Sequence, residues 1–475
     1  MIKVIISFLA FMLLIQLPFQ QSTNVVSASY IQELANDPTS PIQPYHHNPY
    51  FWQYKGRPIM LIGGSKDDNL FQIRGLAGHL DTLASVGGNY VRNTMSSRDE
   101  GNVWPFFQQP EGQYDLNRLN DTYFQRYEDL LRLASGRDII VQIEVWDRFD
   151  FAREPWLENP YNPVNNINYS SEESKLAEEY AKHPGSNENP FFRSIPAHDN
   201  NKILLQYQQA QVDRLLEISL KYPNVLYTMD NETKATAEWG AYWAAYIQEK
   251  ATEAGVKVYT TEMWDAWDLT DEQHKRTLDH PELYAFADIS QNNHNTGQKH
   301  WDNLQWVREY VAHHPRPLNH VKIYGANTGK YGTDKDAVER FWRSIIGGAA
   351  SVRFHRPPSG LGLNSKVQTQ LKSAGLLLTA IDIFSFTPDK ENRLLSQRAE
   401  NEAYLTHRAP EQYVVYFPEG GEVMLDLTEA EGTFKVQWLD IESSQWRKES
   451  QINGGRKVSL VCPGSDNWVV LLKKV

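Results

Sequence analysis

Eight short β-rich segments alternate with helix-like stretches through most of this chain, and no other feature constrains its fold as strongly. The segments are 58–64, 88–94, 139–147, 224–232, 256–263, 284–290, 321–327 and 349–355. Helix-like stretches fall between them at 73–86, 121–134, 202–220, 234–254, 270–279, 301–313 and 334–346, and 366–381 closes the series. Strand and helix in strict alternation predict a parallel (β/α)8 barrel ringed by helices. Beyond about residue 390 the pattern changes to short β-like runs, from YLTHR and QYVVYFP to KVSLVCP and NWVVLLK, split by turns rich in Gly, Pro, Glu or Asn. These runs predict a small antiparallel β-sandwich, read first as a support for the barrel and second as a polysaccharide holder.

The opening residues, MIKVIISFLAFMLLIQLPFQQSTNVVSA, read as a secretory leader. Lys3 supplies the positive charge, Val4 to Leu17 the apolar core, and the small residues from Val26 to Ala28 a cleavage point. The apolar run is too short for a convincing membrane span. The expected organisation is therefore a leader over 1–28, a barrel over 29–390 and a sandwich over 391–475, in a secreted or periplasmic protein with no stable membrane insertion. The single cysteine, Cys462, excludes an internal disulfide, so stability must come from a large core. A net charge of −12 argues against a nucleic-acid partner, which demands a basic face. With 14 Trp and 24 Tyr, some aromatics are expected to stack on sugar rings.

In such a barrel the C-terminal tips of the strands carry the chemistry. Strand four offers Asp230, Asn231 and Glu232. A carboxyl group there can protonate a glycosidic oxygen while the neighbouring amide holds a hydroxyl. Alternation puts Asp230 and Glu232 on one side, where each raises the other's proton affinity and suits Glu232 to the role of acid. Strand two offers Arg92, able to orient a carboxylate. Strands three and five end alike, in Glu144-Val145-Trp146-Asp147 and Glu262-Met263-Trp264-Asp265, with Asp265 near the rim. Trp146, Trp264, Trp267 and Tyr324 are candidates for stacking, and Asn292, Asn293 and His294 for hydroxyl groups. His355 and Arg356, with Arg353, can meet an acidic group. Strand one adds Lys66, Asp67 and Asp68, and strand six adds Asp288. The long stretch 148–200, rich in Asn, Pro and aromatics, follows strand three and is expected to shape the cleft. No metal-ligand spacing, calcium loop, dinucleotide fingerprint or Gly-x-Ser-x-Gly elbow occurs, so neither metal nor cofactor is expected.

The segment NPYFWQYKGRPIMLIGGSKDDNLFQ, a following helix, the strand GGNYVRN and a small C-terminal β-sandwich together resemble the apiosidase-like glycoside hydrolases, within the broad clan of retaining (β/α)8 glycoside hydrolases. The resemblance covers about residues 45–475 in architecture, and its motifs are moderately specific. It implies an exported enzyme that cleaves O-glycosidic bonds in a polysaccharide or oligosaccharide, carrying a C-terminal sandwich of the collagen-binding type. It implies a general acid/base at Asn231-Glu232 and an orienting arginine at Arg92. It also implies a nucleophilic Glu at the end of strand seven, where this chain reads VKIYGANTG, with no carboxylate before Asp334. Three explanations compete: a strand count displaced by one, a second carboxylate moved to another tip, or a carbohydrate-binding relative without hydrolysis. For the moved carboxylate, Glu262 comes first, with Asp147 or Asp288 behind it. A polysaccharide lyase acting on acidic sugars through Arg353, His355 and Arg356 is the other rival.

Overall fold

The computed structural model describes residues 37–475 apart from 38, 328 and 392, so the leader expected over 1–28 lies outside the described residues. Eight parallel strands form the barrel: β1 (Leu61–Gly64), β2 (Tyr90–Thr94), β3 (Ile140–Asp147), β4 (Val225–Asn231), β5 (Thr260–Thr261), β6 (Ala287–Asp288), β7 (Leu318–Ile323) and β8 (Ser351–Phe354). Their order is β5-β4-β3-β2-β1-β8-β7-β6. The helices that follow them are α1 (Leu76–Ser85), α2 (Asp121–Ser135), α3 (Lys202–Ser219), α4 (Ala237–Glu253), α5 (Glu272–Leu278), α6 (Gly297–Tyr310), α7 (Asp334–Ile346) and α8 (Ser365–Ala380). β3 and β4 are buried along their whole length, as strands covered on both faces must be.

The boundaries differ from the sequence reading in three places. The expected first segment divides, because Arg57–Ile59 belongs to a three-stranded antiparallel sheet with Trp52–Tyr54 and Gln43–Pro44. The fifth and sixth strands shrink to two residues each, because they do not pair with each other. Side chains span that seam instead: Thr260 Oγ1 donates to the Leu283 carbonyl (2.7 Å), and Gln248 Nε2 donates to both oxygens (2.8 Å each). The seventh strand begins three residues early, at Leu318 rather than 321. Its early half contains Asn319 and His320, whose polarity hides a strand that only tertiary partners satisfy.

The barrel interior is layered. At the bottom, Leu61, Tyr90, Ile140, Leu226, Tyr259, Phe286 and Ala350 pack around Trp52, which the N-terminal antiparallel sheet inserts as a plug. Above them runs an amide layer. Gln142 accepts from the Tyr90 hydroxyl (2.5 Å) and from Asn319 Nδ2 (2.9 Å), and donates to Thr228 Oγ1 (2.8 Å). Asn319 Oδ1 in turn accepts from the Trp52 indole (2.9 Å). Charged side chains fill only the top, so the polarity rises toward the strand tips.

The residues from 387 onward form a seven-stranded and a three-stranded antiparallel sheet. Alternation along β9 (Gln412–Phe417) and β10 (Trp468–Lys474) sends Val414, Tyr416, Val469 and Leu471 into the barrel's own core. Tyr413, Val415, Phe417, Val470 and Leu472 face the smaller sheet. Tyr416 stacks on Trp342 of α7, and Ser373 of α8 donates to the Ile441 carbonyl (2.7 Å). Both faces of the larger sheet are therefore buried, one of them against the barrel helices. Among the described residues, no helix is long and apolar enough to cross a membrane.

Candidate active site

A cleft of about 820 Å³ opens at the C-terminal end of the barrel strands. Glu232, Asp265, Lys234, Trp267, His294 and Tyr324 line it, with Phe149 and His183 on the insertion side and Lys330 and Tyr331 opposite. A groove of about 980 Å³ at the other end of the barrel, lined by Lys257, His313 and Arg316, holds none of the strand-tip residues.

Beneath the cleft, Arg92 is the organising cation. It is fully buried and grips Glu144 with two bonds of 2.5 Å, pairs with Asp68, and donates to Asn231 Oδ1 (2.9 Å). Asp68 also accepts from Arg356 Nε (2.6 Å) and lies 3.5 Å from His355 Nδ1. Asn231 is engaged by protein at both its amide oxygen and its amide nitrogen. Its oxygen also accepts from Lys322 Nζ (2.6 Å), and its amide nitrogen donates to Asp147 (3.1 Å). Asp147 is held further by Arg98. The arginine expected on strand two thus lies beneath the cleft, and Asn231 and Asp147 are outside its lining.

Glu232 follows the end of β4 in the left-handed backbone region, at φ 58°. That conformation is costly for a residue with a side chain and tends to mark functional sites. It also breaks the strand's alternation, so Asp230 and Glu232 do not share a side. Asp230 turns outward to Arg148 (3.3 Å) and the Trp239 indole (3.2 Å). Glu232 turns to the cleft, where Oε1 accepts from Lys322 Nζ (2.6 Å) and the Tyr324 hydroxyl (3.3 Å). Burial alone raises its proton affinity, but Lys322 and then Arg92 overcome that and bring it down to about 2. The mutual elevation expected for Asp230 and Glu232 is therefore replaced by an ionised Glu232.

Asp265 moves the other way. Burial raises its proton affinity and the Glu232 anion adds to that, against the opposing pull of Lys234, whose Nζ lies 3.2 Å away. Trp267 forms the exposed wall of the cleft, 53% accessible and stacked on His294 with ring centres 4.0 Å apart. Burial lowers His294 to about 4, so its imidazole is neutral at ordinary pH. Tyr324 meets the edge of His294 and continues the wall to Tyr331.

Several expected site residues lie elsewhere. Glu262 is on the outer face of the barrel, beneath α4, where Oε1 accepts from the backbone N–H groups of Asp230 and Met263 (2.9 Å each). Burial, and next the charge of Asp230, raise it well above the usual carboxyl range. Trp264 also points outward and donates to Thr277 (2.8 Å). Trp146 packs among Phe191, Trp239 and Trp243. Neither indole is open to a ligand. Asn292 accepts from Asn295 and Asn303 and donates to the His300 carbonyl, and Asn293 is buried outside the cleft lining. Asp288 faces inward below the cleft, accepts from Ser290, and is pushed up to about 7 by burial.

The insertion gives the cleft only a few residues, Phe149, His183, Gly185 and Ser186. Its asparagines instead cap backbone carbonyls in a stretch with little regular structure. Asn159 donates to Asp150 (2.9 Å), Asn162 to Trp156 (3.1 Å) and Glu178 (2.9 Å), and Asn166 to Pro160 (3.0 Å). Sequence reasoning noted Asp265 at the rim without assigning it a role, and missed Lys322. Composition carries no signal for a lysine that a strand irregularity turns inward.

No protein-family model matches the chain, and no curated protein matches it in sequence. Solved structures do match in shape. One, described as a glycoside hydrolase family 5 protein from Bacteroides vulgatus, superposes with a TM-score of 0.63 at 13% identity, over 92% of this chain and 94% of that one. Another, described as a glycoside hydrolase, gives 0.64 at 12% identity, over 92% of this chain and 98% of the other. At such identities the likeness establishes a shared fold alone: a (β/α)8 barrel together with further β-sheets.

Proposed function

We propose that this chain is an exported glycoside hydrolase that cleaves O-glycosidic bonds of a polysaccharide or oligosaccharide in the strand-tip cleft. Glu232 is its ionised carboxylate and Asp265 its proton donor. One observation carries this reading: of the four carboxyl groups that line the cleft, Glu232, Asp265, Asp268 and Asp271, the surroundings of Glu232 and Asp265 drive their proton affinities in opposite directions. Asp265 gives its proton to the leaving glycosidic oxygen, while Glu232 attacks the anomeric carbon or activates a water. This assignment reverses the role expected for Glu232, because Lys322 occupies the strand that was expected to carry the second carboxylate. The wall of Trp267, His294 and Tyr324 supports a ligand with apolar ring faces. The shared fold supports the reading by analogy, and export rests on the leader-like opening sequence.

The test is hydrolysis of a panel of neutral and acidic glycans by the wild-type chain, Glu232→Gln and Asp265→Asn, with product anomers followed by NMR. Each variant should lose about 10²-fold or more in kcat, with Asp265→Asn unfolding at the wild-type temperature. Retained configuration would make Glu232 the nucleophile, and inverted configuration would make it the base. Glycan binding by the wild type without cleavage would replace the hydrolase with a carbohydrate-binding protein.

A further inference from the structure

β7 is irregular between His320 and Ile323. Asn319 and Val321 face the barrel interior, while His320 faces out to Ser344 of α7, and Ile323 joins the outer core. Regular alternation would send Lys322 outward with His320. The bulge turns it into the mouth instead, a common use of bulges beside functional sites.

There the Lys322 ammonium is almost wholly buried, its side chain 2% exposed. A buried ammonium is costly unless it is paired and hydrogen-bonded. Glu232 Oε1 and Asn231 Oδ1, each at 2.6 Å, meet that requirement. The Tyr324 hydroxyl approaches the same Oε1 (3.3 Å). Among the described residues, no hydrogen bond reaches Oε2, and that oxygen is not sealed from the cleft.

We propose that Lys322 is the positioning residue of this site: it pins Oε1 of Glu232, holds the group as an anion, and leaves Oε2 as the oxygen that meets the sugar. The inference rests on the hydrolase reading of the same cleft. The other charged or titratable groups around Glu232 include Arg92 from β2, Asp265 after β5 with Lys234 paired to it in the cleft lining, the neutral imidazoles of His294 and His355 after β6 and β8, and the Tyr324 phenol after β7. Among the described residues, Lys322 is the one that brings a full positive charge within hydrogen-bond distance.

The experiment compares the full chain with Lys322→Met and Lys322→Arg, with Lys322→Gln in reserve should the methionine variant not fold. The first readout is the titration of the Glu232 carboxyl, by NMR of protein labelled with ¹³C at glutamate carboxyls and assigned with Glu232→Gln. The second is the pH profile of kcat/KM on a glycan that the wild type cleaves. In Lys322→Met the Glu232 titration and the acidic limb should both move up by about one pH unit or more. There kcat should fall at least about tenfold while KM stays within about threefold, and Lys322→Arg should return the limb toward wild type. An unchanged Glu232 titration in a folded neutral variant would overturn the proposal. A shifted titration in a chain that cleaves no glycan would sustain the positioning of Glu232 and overturn the hydrolase reading alone.

Discussion

Gly240, on the inner side of α4, permits a test of where Glu262 lies. A Cβ added there would come 2.2 Å from Glu262 Oε2, 3.2 Å from its Cδ and 3.3 Å from the Tyr284 hydroxyl. On an exposed helix, exchanging Gly for Ala stabilises by about 1 kcal/mol. Here the sign should invert. If the carboxyl group swings clear, it gives up its bonds from the backbone of Asp230 and Met263, each contributing about 1 kcal/mol. If it stays, the overpacked contact costs about 1–3 kcal/mol. The first route gives a net loss of about 1 kcal/mol and the second about 0–2 kcal/mol, so Gly240→Ala should lower stability by about 1 kcal/mol net, read by urea unfolding. In a Glu262→Ala background the obstruction is gone, so the same change should be neutral or stabilising, with a coupling of about 2 kcal/mol. A stabilised Gly240→Ala single variant, or no coupling, would refute the placement of Glu262 beneath α4. The same placement has a consequence for activity. Burial and Asp230 keep the Glu262 carboxyl protonated, so Glu262→Gln replaces it with a close neutral isostere and should leave kcat within about threefold.

Trp267→Ala removes an exposed platform rather than core packing; KM or glycan Kd should rise about three- to tenfold with the thermal midpoint unchanged, and an unmoved KM would exclude Trp267 from the binding surface. Asp288 is raised by burial from 3.8 to about 7, so the folded state favours its protonated form. That stabilisation is complete below the unfolded value of 3.8 and is lost as pH rises through about 7. Asp288→Asn should therefore flatten the fall of Tm over this window, and identical slopes for the two proteins would disprove the assignment.

The architecture was legible because the barrel writes its repeat directly into the chain. β3 and β4 are covered on both faces and read as apolar runs, and their neighbours recur at helix-sized intervals. β7 was placed late because Asn319 belongs to an amide layer whose other members, Gln142, Thr228 and Trp52, come from three distant segments. Of the site, Glu232, Arg92, His294, Tyr324 and Trp267 were legible from their positions at or beyond strand tips. Glu262, Trp146 and Trp264 sit at equally plausible tips, and the structure turns them into the helical layer.

The sequence by itself determined which residues lie near the strand ends, since the repeat of strand and helix sets that spacing. The tertiary structure decided which of them face the cleft and in which protonation state. Facing depends on local departures from alternation, the left-handed backbone at Glu232 and the bulge at Lys322. Protonation depends on charges brought together from separate strands: Lys322 from β7 and Arg92 from β2 hold Glu232 as an anion, while burial beside that anion raises the proton affinity of Asp265.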